Sequence, residues 1–320
     1  MKLHFIVNPA ARNGKSLSVW KKVERYLASK NVQYLTHYTK RKGEGKLIVE
    51  SILSSTEEPC FLIAVGGDGT VNEVINGAVA FSHSIVGYIR AGSGNDFSRG
   101  FEIPKDPFQA VDFILETVNK DHHYFDAGEF HLSQHKKGYF ISSLGCGFDA
   151  AVAKAANHSK AKAFFNKLYL GKLVYVFLLL RELFKYKPSN LLLEIDQQQF
   201  HFENTWFVTV CNQPFFGGGM KIAPPASPMD GKLNVIVVHR LTRLKLLLLF
   251  ITVFKGSHLR LKEVEHLEGK HIKISFQKEV PIHADGEEVG YTPIEVCIKE
   301  NAQKIVSNYR HDSKNILDEL

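Results

Sequence analysis

The stretch FLIAVGGDGTVNEVINGAVA, residues 61–80, decides the fold of the first half of the chain. Its first five residues are all apolar, as expected of a strand buried on both faces of a sheet. Its last ten residues space apolar side chains three and four apart, as an amphipathic helix does, and Thr70 with Glu73 predicts a capping box at the helix start. We therefore predict a strand, a glycine-rich turn at residues 66–70 and a helix.

The same alternation of strand and helix continues on both sides of this stretch. Strands are predicted at Leu3–Val7, Gln33–Tyr38 and Ile85–Ile89. Helices are predicted at Ser16–Ala28, around Gly45–Leu53, and after the N-cap pair Asp106-Pro107, with Phe108, Val111, Leu115 and Val118 facing inward. This alternation is typical of a parallel sheet with crossover helices.

After about Phe125 the pattern changes to strands separated by turn residues. The predicted strands are Tyr139–Leu144, Leu191–Ile195, Trp206–Cys211, Leu233–Val238, Ile272–Phe276 and Ile294–Ile298. Helices are predicted at Ala150–Asn157 and Phe164–Tyr186, with a weak helical pattern at Ile316–Leu320. We predict a first domain at residues 1–126, a mainly antiparallel second domain at 127–299, and a tail of about 300–320 that packs back on the first domain.

Length and composition indicate a globular protein of two domains, since 320 residues at about 150 per domain give roughly two. The four cysteines are scattered, which argues against a disulfide framework or a zinc site. The N-terminus reads as a strand rather than a signal peptide. The apolar runs Val174–Leu180 and Leu246–Phe254 are shorter than the roughly 20 residues of a membrane span, so we expect a cytoplasmic protein.

The net charge of +7 suits nucleic acid, anionic lipid or nucleotide phosphates. The basic residues are dispersed and no nucleic-acid motif is present, so we expect no nucleic-acid partner. The segment Phe164–Tyr186 combines lysines with aromatic residues. It has two open interpretations: a helix lying on an anionic bilayer, or a core helix with a solvated charged face.

The turn at residues 66–70 also indicates chemistry. Its three glycines let a ligand approach the backbone, and the following helix start presents free N–H groups to phosphate oxygens. The carboxylate of Asp68 would repel phosphate unless a cation bridges them. This combination predicts a cradle for a nucleotide with Mg²⁺, and a plain strand-to-helix turn is the alternative.

Two further loops follow predicted strands. Arg90–Phe97 carries two glycines, a hydroxyl, an amide and a carboxylate. Asn8–Ser16 ends in Gly-Lys-Ser, but Pro9 stands where a P-loop needs its first glycine, so we interpret it as a different phosphate-facing turn with Arg12 or Lys15 supplying charge. Because ligands of open α/β sheets bind at the carboxyl ends of the strands, all three loops are candidates for one site.

These motifs together resemble the diacylglycerol kinase catalytic domain family, the group of bacterial soluble diacylglycerol kinases and related lipid kinases. The motifs that carry the resemblance, in chain order, are Asn8-Pro9, Gly66–Thr70 with Asn72-Glu73, Gly92–Phe97, Asp126-Ala127-Gly128, Gly145–Asp149, Gly218-Gly219-Met220, Asp230–Leu233 and Asp285-Gly286-Glu287. The resemblance implies an α/β N-terminal domain with a Rossmann-like parallel sheet, of the NAD kinase and diacylglycerol kinase type, and a mainly antiparallel β C-terminal domain.

The same resemblance implies roles for individual residues. Glu287 matches the general base that acts on the lipid hydroxyl, and Asp68, with Asp96 and Asp126, would organise magnesium near the phosphates. A solvated hairpin acid is the alternative for Glu287. ATP would bind along Asn8, Pro9, Ala10, Ala11, Arg12, Thr39, Gly66, Gly67, Asp68, Gly69, Thr70, Val71, Asn72, Glu73, Ser93, Asn95 and Asp96.

A second magnesium site is implied at the turn Ser227–Lys232. Asp230 would be its charged ligand, and Ser227 and Lys232 would contribute carbonyl oxygens, because a lysine side chain cannot ligate a cation. A simple Asp-Gly turn between strands is the alternative.

The resemblance therefore implies an ATP- and Mg²⁺-dependent lipid kinase that converts diacylglycerol to phosphatidic acid. Its lipid substrate would lie at a membrane surface with which the protein associates peripherally, and the sequence leaves a homodimer open. Three alternatives remain: a kinase acting on NAD, a kinase acting on a sphingoid base, and a catalytically silent regulator that binds nucleotide or lipid.

Overall fold

The computed structural model describes residues 2–132, 136–158 and 171–309. Its α-helices are α1 (Lys15–Ser29), α2 (Glu44–Ser54), α3 (Asp68–Ala78), α4 (Asp96–Gly100), α5 (Pro107–Thr117), α6 (Phe148–His158), α7 (Gly171–Lys185) and α8 (Arg243–Val253), and a 3₁₀ helix lies at Ser257–Arg260. Its strands are β1 (Lys2–Val7), β2 (Leu35–Tyr38), β3 (Cys60–Gly66), β4 (Ser84–Arg90), β5 (Tyr124–Leu132), β6 (Lys136–Phe140), β7 (Ser143–Gly147), β8 (Ser189–Ile195), β9 (Gln198–Cys211), β10 (Phe215–Phe216), β11 (Met220–Lys221), β12 (Leu233–His239), β13 (Val264–Gly269), β14 (His271–Phe276), β15 (Pro281–Ala284), β16 (Glu287–Tyr291) and β17 (Ile294–Ile305).

The first half is a parallel sheet with helices on both faces. The strands run in the order β4-β3-β1-β2, and each adjacent pair is parallel. Trp20, Val23 and Leu27 of α1 pack with α5 against one face, and α2 and α3 cover the other. This confirms the predicted parallel sheet, whose strand β3 is buried along its whole length.

The second half is mainly antiparallel, as predicted. The strand β9 pairs with β8 through its first half and lies between β7 and β12 through its second half. A core of side chains from these strands and from β14 and β17 fills the interior. The helices α7 and α8 pack over a separate cluster around Phe148 and Trp206.

The strand β17 joins the two halves of the molecule. It lies between β14 and β5 at residues 294–297 and continues along β5 as far as Lys304, and its last residues, Lys304 and Ile305, pair in parallel with β4. Beyond β17, Val306 donates its N–H to the carbonyl of Val86, and Ser307 bonds the carbonyl of Phe101. Residues up to 309 therefore lie against the first half, while the predicted domain boundaries stay a prediction.

The predicted strand Tyr139–Leu144 is wrong in its continuity. The structure ends β6 at Phe140 and starts β7 at Ser143. Between them, the carboxylate of Asp285 accepts the N–H groups of Ile141, Ser142 and Ser143 at 2.9, 2.9 and 3.0 Å. These groups cannot then serve a regular ladder, because each N–H donates to a carboxylate 142 or more residues away.

The predicted capping box at α3 is also wrong. The helix begins at Asp68 with Gly67 as its N-cap, two residues before Thr70, and no side chain caps it. The hydroxyl of Thr70 instead accepts the side-chain amide of Asn8, and Glu73 accepts backbone N–H groups of the loop before α2. Tertiary partners therefore replace the local cap.

The face of α5 is rotated from the prediction. Ala110, Val111 and Ile114 are buried, whereas Phe108 is exposed. Phe108 lies edge-on against Tyr26 of α1. The helix start is as predicted, with Pro107 as the first helical residue.

Some predictions fall on parts of the chain outside the described residues. These are the helical pattern at Ile316–Leu320 and the first part of Phe164–Tyr186; the latter is helical from Gly171. Among the described residues, no helix combines the length and apolar character needed to cross a membrane. The four cysteines are free thiols, which agrees with the predicted lack of a disulfide framework.

Replacing Asp106 tests the predicted start of α5. Its carboxylate accepts the N–H groups of Phe108 and Gln109 at 2.9 and 3.0 Å. We expect Asp106→Ala to lower the free energy of unfolding by about 1 kcal/mol, since two helix N–H groups lose their acceptor. Urea denaturation measures this, with Asp106→Asn as the control that keeps a capping oxygen. Equal losses in both variants would contradict the cap.

Candidate active site

The two glycine loops after β3 and β4 touch each other through their backbones. Ala91 donates its N–H to the carbonyl of Gly66 at 2.7 Å. A Cβ added to Gly92 would lie 2.3 Å from the Cα of Gly67, a distance that no side chain permits. The contact therefore requires glycine at position 92, and it aligns both loops at the carboxyl edge of the sheet.

Asp68 and Asp96 face each other across this loop pair. Asp68 Oδ1 accepts the N–H of Phe97 at 3.1 Å. The point where a Cβ on Gly94 would project lies 2.6 Å from Asp68 Oδ2 and 3.8 Å from Asp96 Oδ2. The two loops thus bring two carboxylates to the same side of Gly94.

Both carboxylates are difficult to ionise in this site. Burial, and then the charge of Asp96, raise the pKa of Asp68 to about 6. Burial also raises the pKa of Asp96, although Arg99 at 2.8 Å and the N–H of Gly218 at 2.7 Å act against that rise. Two desolvated carboxylates in one crevice, the first with little positive charge beside it, are a donor set that suits a divalent cation.

The loop after β1 meets the start of α3. Asn8 donates its side-chain amide to the hydroxyl of Thr70 at 3.2 Å and accepts the N–H of Ala10 at 3.1 Å. Arg12 has a left-handed backbone with φ of 51° and an exposed side chain. Thr39, just after β2, donates its N–H to Val7 at 2.9 Å. The predicted ATP residues of all four strands thus share one edge of the sheet.

Two of the predicted ATP residues use their side chains to hold neighbouring segments. Glu73 accepts the N–H groups of Gly43 and Gly45 at 2.7 and 2.9 Å, which fixes the loop before α2. Asn72 donates to Asp285 Oδ2 at 2.8 Å. Ser93, by contrast, is exposed at the rim of the loop pair. Binding of nucleotide by these residues stays a prediction.

The turn that carries Glu287 is fixed beside the glycine loop. Its neighbour Asp285 holds the chain between β6 and β7 and is bonded to Asn72 of the first half. Glu287 Oε1 lies 3.5 Å from the point where a Cβ on Gly69 would project, and Oε2 pairs with Lys42. A carboxylate of the second half therefore lies next to the glycine loop of the first half.

A buried polar group supports this turn from below. His283 Nδ1 accepts the N–H of Gly286 at 3.3 Å, so Nε2 carries the proton that faces Asp149 Oδ2 at 3.5 Å. Thr209 donates its hydroxyl to the same oxygen at 3.0 Å. A Cβ on Gly145 would come within 2.0 Å of that oxygen, so glycine is required there.

The carboxylate of Asp126 is bonded to backbone N–H groups of the second half of the chain. It accepts the N–H groups of Gly231 and Asn301, each at 2.9 Å. Burial raises the pKa of the nearby Asp230, and the charge of Asp126 adds to that rise. The grouping of Asp126 with Asp68 and Asp96 at a magnesium site stays a prediction. Its backbone amide bonds the carbonyl of Pro228, which ties it to the predicted second metal turn.

That turn is held by a hydrogen bond of its own and by contacts with Glu268 and Tyr309. Asp230 Oδ1 accepts the N–H of Lys232 at 3.0 Å, and the Lys232 ammonium lies 3.2 Å from Glu268. The hydroxyl of Ser227 accepts that of Tyr309 at 3.0 Å. The three residues are thus in one turn, as predicted, and metal binding by them stays a prediction.

Sequence reasoning missed four residues that shape the site: Lys42, Arg99, Asp149 and Asp285. Asp149 and Asp285 lie inside motifs that the sequence analysis quotes, but nothing local distinguishes an anchoring carboxylate from a catalytic one. Lys42 lies in a basic loop after β2. The sequence shows this cluster of positive charge, but only the fold shows that Lys42 lies next to Glu287.

Two family models match the chain. Residues 2–127 match the diacylglycerol kinase catalytic domain, and residues 142–307 match the YegS C-terminal NAD kinase beta sandwich-like domain. The Bacillus subtilis (strain 168) protein named Putative lipid kinase YtlR is 32% identical over 305 residues, which cover 94% of this chain and 98% of that one. A diacylglycerol kinase of Mycobacterium tuberculosis (strain H37Rv) is 28% identical over 246 residues, covering 77% and 76%.

A solved structure shares the fold. The crystal structure of a protein titled a putative diacylglycerol kinase from Bacillus anthracis (strain Sterne) superposes with a TM-score of 0.75. It covers 96% of this chain and 95% of that one at 23% sequence identity.

Neutralising Asp68 tests its desolvation. Because its folded pKa of about 6 lies above the ordinary 3.8, the ionised carboxylate destabilises the fold at neutral pH, and this cost fades as the pH falls through that interval. We expect Asp68→Asn to raise the free energy of unfolding by about 1–2 kcal/mol near neutral pH and to have little effect below roughly pH 4.

Guanidinium denaturation at several pH values measures this effect. The control is Asp112→Asn, because a hydrogen bond from Lys30 lowers the pKa of Asp112 and predicts a change of the opposite sign. A destabilised Asp68→Asn at neutral pH would show that the carboxylate is compensated by its neighbours.

Proposed function

The chain belongs to the diacylglycerol kinase catalytic domain family, and on that premise we propose that it is a lipid kinase that transfers the γ-phosphoryl group of ATP to diacylglycerol, giving phosphatidic acid. One observation carries the proposal: the carboxylate of Glu287, from the second half of the chain, lies beside Gly69 in the glycine loop of the first half. A phosphoryl group held at that loop would therefore lie close to a carboxylate that can accept the proton of the attacking hydroxyl.

The glycine loops would hold the triphosphate. Backbone N–H groups at the start of α3 and the loop after β1 face the same edge of the sheet, where they suit phosphate oxygens. Asp68 and Asp96 would hold Mg²⁺, which on binding would neutralise charge on the phosphates and, in turn, compensate the two desolvated carboxylates.

Glu287 would accept the proton of the acceptor hydroxyl. As the hydroxyl oxygen forms its bond to the γ-phosphorus, the bond to the leaving ADP oxygen breaks and the proton passes to Glu287. Asp285 and His283 fix the turn that holds this carboxylate. Lys42, now paired with Glu287, would turn to the transferred phosphoryl group once the proton has moved.

Diacylglycerol is proposed as the acceptor because relatives that match most of the chain, including the protein of Mycobacterium tuberculosis, are named diacylglycerol kinases. The relative from Bacillus subtilis that is 32% identical is named only as a lipid kinase, which supports the coarser class. NAD and sphingoid bases are therefore tested beside diacylglycerol.

Replacing Glu287 tests the proposed base. We expect Glu287→Gln to lower phosphoryl transfer about 100-fold or more, because the amide cannot take the proton, while ATP binding and thermal stability are retained. Turnover and ATP titration measure this. The matched control is Glu288→Gln, whose carboxylate pairs with Lys154 at 2.5 Å outside the glycine loop. Turnover of Glu287→Gln at the wild-type rate would remove the assignment.

An acceptor panel tests the substrate class. The protein is incubated with γ-labelled ATP, Mg²⁺ and one acceptor at a time: diacylglycerol or sphingosine in mixed micelles, or NAD in solution. We expect label in phosphatidic acid. Label in NAD alone would refute the lipid acceptor, and binding of ATP without any labelled acceptor would favour a silent regulator.

A further inference from the structure

The helix α8 is apolar on both of its faces. Leu246, Leu249 and Val253 are buried against the cluster around Phe148. On the opposite side, a second set of apolar side chains faces solvent with exposed fractions of 55–70%: Leu244, Leu248, Ile251 and Phe254. We call this second set the apolar stripe.

The spacing of the apolar stripe makes it one continuous surface. Its members follow one another at intervals of four, three and three residues, so successive helical turns place them side by side. Solubility alone selects polar residues on such a face, and a contiguous apolar patch on a folded surface marks a contact with a partner or a membrane.

The adjoining helix carries a similar exposed pair. Phe177 and Phe184 of α7, seven residues apart, are 64% and 72% exposed. The two helices are joined where Arg243 at the start of α8 donates to the carbonyl of Leu183 at 3.1 Å. Exposed phenylalanine side chains are typical of the apolar face of a helix that lies in a membrane interface.

The segment of the chain that carries the apolar stripe has charged residues of one sign only. Residues 240–262 contain six basic residues and no acidic residue: Arg240, Arg243, Lys245, Lys255, Arg260 and Lys262. Arg240 and Lys245 pair with Glu203 and Glu263. Within the described part of the chain, no carboxylate pairs with Lys255, Arg260 or Lys262, so a positive potential remains next to the stripe.

This surface is connected to the proposed active site through α6. At its far end, Asn157 donates to the carbonyl of Gly286 at 3.0 Å, beside Glu287. At its start, the ring of Phe148 lies 6.4 Å from that of Phe250 on α8. The helical layer therefore extends from the turn that carries the proposed base to the apolar stripe.

We propose that the apolar stripe and its flanking cations are the surface through which this protein docks on an anionic phospholipid bilayer. The stripe would enter the boundary between headgroups and acyl chains, and Lys255, Arg260 and Lys262 would contact lipid phosphates. The inference rests on the proposed function for its purpose, since docking would present the active-site turn to a lipid alcohol that leaves the membrane poorly.

Vesicle binding tests the docking surface directly. The full chain is sedimented with vesicles of phosphatidylglycerol and phosphatidylcholine, or of phosphatidylcholine alone, without ATP. We expect Leu248→Glu to weaken binding to the anionic vesicles about tenfold, because an apolar contact is lost and a repelled charge is gained. The control is Leu47→Glu on α2, because Leu47 is 56% exposed and Leu248 is 55% exposed.

Three results would overturn the inference: no binding of the wild type to anionic vesicles, equal binding by both variants, or conversion of a wild-type dimer to a monomer by Leu248→Glu in light scattering, which would identify a self-association surface. Turnover in detergent micelles, where docking is not needed, separates this inference from the proposed function. If micellar turnover is normal and vesicle binding ignores Leu248, only the docking surface fails. If vesicle binding depends on Leu248 and no lipid is phosphorylated, only the proposed function fails.

Discussion

The site depends on the hydrogen bonds that the carboxylate of Asp285 accepts. Its burial raises its pKa, while three backbone N–H groups between β6 and β7 and the amide of Asn72 stabilise its charge. A buried carboxylate is stable only when hydrogen-bond donors surround its oxygens. Loss of any one of these donors would therefore destabilise the whole arrangement around Asp285. The position of Glu287, two residues on, therefore follows from donors that lie in both halves of the chain.

Close packing of the backbone determines the geometry of the two glycine loops. The contact between Gly67 and Gly92 brings Asp68 and Asp96 together. Two carboxylates that repel each other in a crevice are unfavourable for folding and favourable for gripping a cation. Under the proposed function, the stability lost by burying these two carboxylates would be recovered when Mg²⁺ binds between them.

The sequence was sufficient for several features that short-range patterns govern. The buried strand and helix of residues 61–80, the cap at Asp106 and the antiparallel character of the second half all follow from periodicity and local hydrogen bonding. It failed where a polar side chain finds a distant partner. Glu73 was assigned to a local cap, because spacing along the chain carries no information about which backbone amides of other segments lie close to a side chain in the fold.

The long strand β17 has a consequence for how the molecule can move. Its ladder continues from the antiparallel half into the parallel half, where Lys304 and Ile305 lie against β4. A hinge rotation that separated the halves along this edge would have to break that ladder. Widening of the crevice at the margin that carries Glu287 would have to break the solvent-accessible pair Lys42–Glu287 and the hydrogen bond from Asn72 to Asp285. Entry to the crevice from that side would then depend on these two bonds.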